Sequence, residues 1–265
     1  MKKLSLGANI WRYAIIGSVG LYLILPLYAM LDFSTKPFGG GNQGRTLRAW
    51  KVIPTQQDLL SSIFLSLGLA LLVMLLILLI IVPTIVWVHL KLPKLRRPME
   101  LICLLPLATP AIVIVVGVAG IYRWISIHIS ESPLTLAGVY SILILPYTYR
   151  SVAASLSAVD IHTLAEAART LGASTSRMLA QIILPTIRSG IMSGAVISIA
   201  LVLGEFTISS LLNYRTLQPI IAAIGRADGN VAVAVSLASL LFVFALLIFM
   251  PGAKTHKQVL DVDVE

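Results

Sequence analysis

Between Asp58 and Lys91 the chain carries no charged side chain, and the apolar block 60–86 inside that stretch is the longest of several. As a helix those residues rise about 40 Å, whereas the hydrocarbon layer of a bilayer is about 30 Å thick. Such a helix is expected to tilt or to project beyond the lipid, with Pro83 kinking it near one end. Five more apolar blocks, 13–31, 100–122, 134–152, 191–211 and 231–250, bring the expected spans to six. With 58% of residues hydrophobic and 12% charged, the chain cannot be an ordinary soluble domain, where about a quarter are charged. Spanning segments must satisfy their own backbone groups, and helices do so. The expected fold class is therefore an all-α polytopic membrane protein of six transmembrane helices. It forms one membrane domain over 1–265, with no room for a separate soluble catalytic domain. Pro106 and Pro110 fall inside the third expected span, where neighbouring helices can satisfy the carbonyls they free.

Orientation follows from the basic residues of the links. One side collects Lys2, Lys3, Arg12, Lys91, Lys94, Arg96, Arg97, Arg150, Arg169, Arg177, Arg188, Lys254 and Lys257, thirteen of twenty. The other holds Lys36, Arg45, Arg48, Lys51, Arg123, Arg215 and Arg226. Both termini and the loop 153–190 are thus expected in the cytoplasm, with four contrary charges concentrated in the link 32–59. The apolar stretch after Lys2 and Lys3 lacks a small-x-small cleavage site, so an uncleaved first helix is expected. The net charge of +9 suits insertion and contact with anionic lipid, and requires no nucleic acid. Gly39–Asn42 reads as a flexible turn and 255–265 as a mixed, acid-ended tail. Cys103 is the single cysteine, so no disulfide framework forms. His89, His128, His162 and His256 show no metal-ligand spacing. No metal, cofactor or catalytic residue is expected.

The segment 166–185, EAARTLGASTSRMLAQIILP, is polar and basic between apolar blocks. Asp160 or Ser157 can cap a helix entering it. Leu164, Ala168 and Leu171 recur at the spacing of one helical face. Gly172 can end that helix with a positive φ. Ser174 or Thr175 can cap a second helix through Met178, Leu179, Ile182 and Ile183, and Pro185 marks the change into the fifth span. The expected product is a stiff knob whose alanines let another protein approach closely.

In wording and spacing this segment resembles the cytoplasmic EAA loop of permease subunits of ATP-binding-cassette importers. Glu166, Ala167 and Ala168 are followed by Gly172 and later by Ile182, Leu184 and Pro185. The resemblance implies a type I importer permease fold in which Glu166, Ala167, Ala168, Gly172, Leu184 and Pro185 couple the spans to a motor. It implies two cytoplasmic ATPase subunits, a second permease subunit of related sequence, and an extracytoplasmic solute-binding protein. The place implied is the bacterial inner membrane. The chain carries no Gly-x-x-x-x-Gly-Lys-Ser/Thr phosphate loop, so the ATPase is expected in trans. The run LGEFTISSLL after the loop, without a maltose-type insertion, looks most like the second permease of spermidine/putrescine-type systems. Iron, sulfate, thiamine and phosphonate permeases are close to the same pattern. A stand-alone ion-coupled secondary transporter is the competing class; it would use Glu205 for proton coupling and work without the knob.

Glu205 is the only acidic residue in the interior of an expected span. A membrane carboxylate is costly and usually faces a bundle interior or a pathway. It could oppose a cationic solute, with Tyr122, Trp124 or Tyr147 supplying a ring face. Equally, it could hold an inter-helix bond, to Arg150 or to a partner permease. Pro146, Tyr147 and Arg150 lie where the fourth span meets the cytoplasmic side, placing a gate or an interfacial anchor there. Gly190, Gly194 and Ser198 recur every four residues and allow close helix packing.

Overall fold

The computed structural model describes residues 6–37 and 44–249. The Gly39–Asn42 turn, Lys2, Lys3, Lys254, Lys257, His256 and the tail lie outside the described residues. The first helix, α1, spans Leu6–Ser34, and α2 is the short Arg48–Val52. Next comes α3, Gln57–Lys91, which is regular over Gln57–Leu76, widens into a π turn at Ile77–Ile81 and resumes over Val82–Lys91. Then follow α4 (Arg96–Ala108), α5 (Ala111–His128), α6 (Ala137–Ser157) and α7 (Ile161–Thr170). The segment α8 covers 175–186 with a second π turn at Leu179–Ile183. Last come α9 (Arg188–Gly204), α10 (Thr207–Leu211), α11 (Leu217–Ala227) and α12 (Gly229–Phe249). No strand occurs among the described residues.

Two expected spans are broken. The block 100–122 is not one helix: Thr109 is extended and Pro110 opens α5. Proline disfavours helical backbone in the residue before it, and here the chain yields instead of kinking. The membrane-length helix is Ala111–His128, so Arg123 lies within a helix rather than in a link. The block 191–211 also divides, at an extended Glu205 between α9 and α10. The fourth block extends further than expected, because α6 runs on to Ser157. Pro83, in contrast, does not end α3. The amide of Val82 reaches back five residues to the carbonyl of Ile77, and this wider turn makes room where a proline crowds the fourth carbonyl behind it.

Five helices are long and apolar enough to cross a membrane, or six if the bent pair Pro133–Ser157 and Ile161–Thr170 counts as one span. Their outer faces are apolar and uncovered: Tyr22 is 78% exposed, Leu79 72% and Val116 74%. Water would penalise such surfaces, whereas lipid accepts them.

By contacts the chain forms two compact units, one of 1–64 with 216–241 and one of 65–215 with 242–265. In the first, Asp32 pairs with Lys36 and Arg45, and Arg48 reaches Asp228 at 2.8 Å. Three of the four contrary charges in the first link are thus ion-paired. Trp50 Nε1 donates to Ser34 Oγ at 3.1 Å, and Asn230 Nδ2 donates to the carbonyls of Phe33 and Lys36.

In the second unit α9 packs along α6. The Gly190, Gly194, Ser198 row is the seam between them. A Cβ on Gly190 would lie 2.6 Å from the Ser151 carbonyl oxygen, and one on Gly194 would lie 3.3 Å from Thr148 Cγ2. Ser151 Oγ donates to the Gly190 carbonyl at 2.8 Å. Small residues let the two backbones approach, and the seam is internal to this subunit.

Candidate functional site

The loop between α6 and α9 is closed by its own caps. Asp160 Oδ1 accepts from the Thr163 amide at 3.2 Å, and Oδ2 accepts from Thr163 Oγ1 at 2.7 Å. Those two bonds, the hydroxyl one first, hold the Asp160 carboxyl below its ordinary value. At the other end of α7, Gly172 has φ +79°. Its amide reaches the Arg169 carbonyl at 2.9 Å, and the Ala173 amide reaches that of Ala168 at 3.0 Å. This is the paired bonding of a Schellman cap, for which glycine carries the least strain. Ser174 Oγ then accepts from the Arg177 amide at 3.4 Å and opens α8. α7 leaves the direction of the preceding helix at 66° and packs on α8.

The expected face of α7 holds at Ala168, is half-buried at Leu164 and fails at Leu171, just past the helix end. Ile161, Ala165 and Ala168 are its buried face, while Leu171 is 88% exposed at the tip. Two leucines suggest an apolar stripe, but small alanines permit the closer approach to α8. Met178, Ile183 and Ile187, all fully buried, complete the small core of this region. The candidate coupling residues therefore divide. Glu166, Ala167, Gly172 and Pro185 are exposed, Leu184 is half-buried, and Ala168 is buried. Pro185 is not the boundary itself, because the chain breaks two residues later at Ile187 (φ −96°, ψ 14°).

Glu205 does not stand in mid-helix. Its carboxylate accepts from Tyr140 Oη at 2.7 Å and from the amides of Ile208 at 2.8 Å and Ser209 at 3.3 Å. It thus satisfies the free donors that begin α10 and ties α10 to α6. Tyr140 is 1% exposed and is not a residue that the sequence pattern marks. A tyrosine amid an apolar helix needs a partner for its hydroxyl, and that need is the available signal. Among the described residues, none of the candidate rings hydrogen-bonds to Glu205. Trp124 stacks on His128 with centroids 4.8 Å apart, and Tyr122 Oη donates to the Thr135 carbonyl at 3.1 Å. Tyr147 is 39% exposed. Arg150 instead lines a cavity with Arg96 and Tyr149. No group of three potential metal ligands occurs among the described residues.

These features define a class, a multi-pass helical membrane protein with a capped polar loop before its penultimate span. The family described as binding-protein-dependent transport system inner membrane component matches residues 71–256, and the chain belongs to that family. It is a permease subunit of a binding-protein-dependent ATP-binding-cassette importer, a transport component rather than its motor. No curated protein matches the chain.

Proposed function

We propose that residues 158–187 are the coupling element of this permease, receiving movement from ATPase subunits and passing it to α6 and α9. The observation that carries this reading is the doubly capped knob whose tip exposes Glu166, Ala167, Leu171 and Gly172. A cap contributes about 1 kcal/mol, and a loop stiffened at each end transmits displacement instead of absorbing it. In this reading the loop and both termini face the cytoplasm of a bacterium. Two ATPase subunits, a related second permease and an external binding protein complete the assembly. The test is charge reversal at the tip, Glu166→Arg, in the assembled transporter. Uptake should fall at least tenfold, and the ATPase should co-purify poorly, while the chain still inserts. Unchanged uptake together with unchanged co-purification would overturn the assignment.

The solute we propose is a polyamine. Support comes from the wording of LGEFTISSLL, which resembles that of the second permease of spermidine/putrescine-type systems. With its oxygens on Tyr140, Ile208 and Ser209, Glu205 serves this reading as a fixed helix junction beside the path, with Tyr147 and Arg150 further along α6. In the reconstituted assembly, spermidine or putrescine with its binding protein should stimulate ATP hydrolysis. Stimulation by iron, sulfate, thiamine or phosphonate, and not by polyamine, would replace it.

A further inference from the structure

A polar cavity of about 520 Å³ lies where α3 ends, α4 begins and α6 approaches the loop. Arg96, Arg97 and Arg150 line it together with Glu100, His89 and Tyr149. Three guanidinium groups face one carboxylate, and none of these four makes a salt bridge among the described residues. Elsewhere the chain pairs such charges, as Asp32 does with Lys36 and Arg45. The N-terminus of the 13-residue α4 opens at the same place, adding the positive end of a helix dipole. The walls are firm: Tyr149 and His89 are buried, and His89 Nδ1 donates to the Ile85 carbonyl at 2.8 Å. An unpaired set of guanidinium forks around a helix N-terminus fits a phosphate, because each fork can donate two parallel bonds to its oxygens.

We infer that this cavity holds the phosphate of an anionic phospholipid headgroup. The inference rests on the chain spanning a membrane and not on the coupling role of the loop. The cavity lies where the uncharged run of α3 gives way to Lys91, Lys94, Arg96 and Arg97, the change from apolar to basic expected at the lipid edge. A second, apolar groove of about 370 Å³ runs beside α4, lined by Ile81, Val88, Met99, Ile102 and Leu145. Ile102 and Leu105 are 64% and 60% exposed on the same helix. A lipid can lay its chains on such surfaces, whereas a soluble anion gains nothing from them. The bound headgroup would join the start of α4 to the end of α6, and Ser157 on the cavity wall is three residues before the Asp160 cap.

The test places the purified full chain in phosphatidylcholine nanodiscs and titrates in phosphatidylglycerol, reading the thermal unfolding midpoint. The wild-type chain should be stabilised saturably. The triple variant Arg96→Gln, Arg97→Gln, Arg150→Gln should need about tenfold more phosphatidylglycerol, the loss expected when charge-assisted bonds to phosphate are removed. The double variant Lys91→Gln, Lys94→Gln, outside the cavity lining, should behave like wild type, and Glu100→Gln should need less. An undiminished response in the triple variant would overturn the site. If that variant does not fold, an unchanged response in Glu100→Gln would do so. Equal stabilisation by inorganic phosphate in pure phosphatidylcholine would overturn the lipid as its source.

Discussion

Two stretches of this molecule carry the same five-residue pattern, Ile80-Ile81-Val82-Pro83-Thr84 in the long span and Ile182-Ile183-Leu184-Pro185-Thr186 in the loop. Both build the same turn. The amides of Val82 and Leu184 each reach back five residues, to Ile77 and Leu179. Thr84 and Thr186 each donate a hydroxyl to the carbonyl four residues back, at 2.6 Å in both cases. Beyond the threonine they part. In α3 the next residues include Ile85, Val86, Val88 and His89, all buried, and packing carries the helix on to Lys91. After Thr186 only Ile187 is buried before Gly190, and Arg188 and Ser189 are exposed. The helix stops and restarts. Local wording sets the widened turn, and the burial that follows decides whether a helix survives it.

The largest effect expected from testing this contrast lies just past the second turn. Gly190→Ala should cost about 3 kcal/mol, because a clash with a rigid backbone contact falls at the top of the roughly 1–3 kcal/mol that overpacking costs. Gly68→Ala on α3, whose nearest neighbour would be 3.9 Å away, should change the unfolding midpoint in detergent little or raise it. Equal losses at the two sites would remove packing as the cause of the difference.

Removing the prolines sharpens the comparison next. Pro185→Ala restores an amide and should let the helix run through Ile187, lowering uptake several-fold with less than about 1 kcal/mol change in stability. Pro83→Ala should leave uptake near wild type. If both lower it alike, the break at Ile187 has no special part in transport. Smaller still, Thr84→Val and Thr186→Val should each shift stability by about 0.5 kcal/mol, in the same direction, since each loses one local hydroxyl bond.

The smallest effect is a pH response confined to the loop. Asp160 has a lowered carboxyl pKa in the folded loop. Its contribution is therefore fully present above the unfolded carboxylate value of about 3.9 and is lost as pH falls through the folded one. The protection of the Thr163 amide against hydrogen exchange, taken relative to its intrinsic rate at each pH, should fall in that acid range, and Asp160→Asn should abolish the dependence. The turn in α3 should show no such change.

The spans are legible in the sequence because apolar runs of such length are at home in little besides lipid. The loop caps are legible too, since Asp160, Gly172 and Ser174 have local chemistry that acts wherever they stand. What stays hidden depends on neighbours distant in the chain. Glu205 looks like an interior helix residue, yet it caps the next helix at the Ile208 and Ser209 amides and bonds Tyr140, 65 residues earlier. On α7 the sequence places Ala168 correctly but misses Ala165 and overrates Leu171, because leucine outweighs alanine in hydrophobicity whereas closeness to α8 favours the smaller side chain. Arg96, Arg97 and Arg150 read as orientation signals, and only the fold brings them to one cavity.

The bonds from Asn230 to Phe33 and Lys36, and from Arg48 to Asp228, cross separations of 197, 194 and 180 residues. During synthesis the amino-terminal end emerges first, so the carbonyls of Phe33 and Lys36 must wait until Asn230, 197 and 194 residues later, has been made. Chains halted before Asn230 should therefore leave the first helix unfastened and open to quality-control proteases, even with every intervening span already inserted.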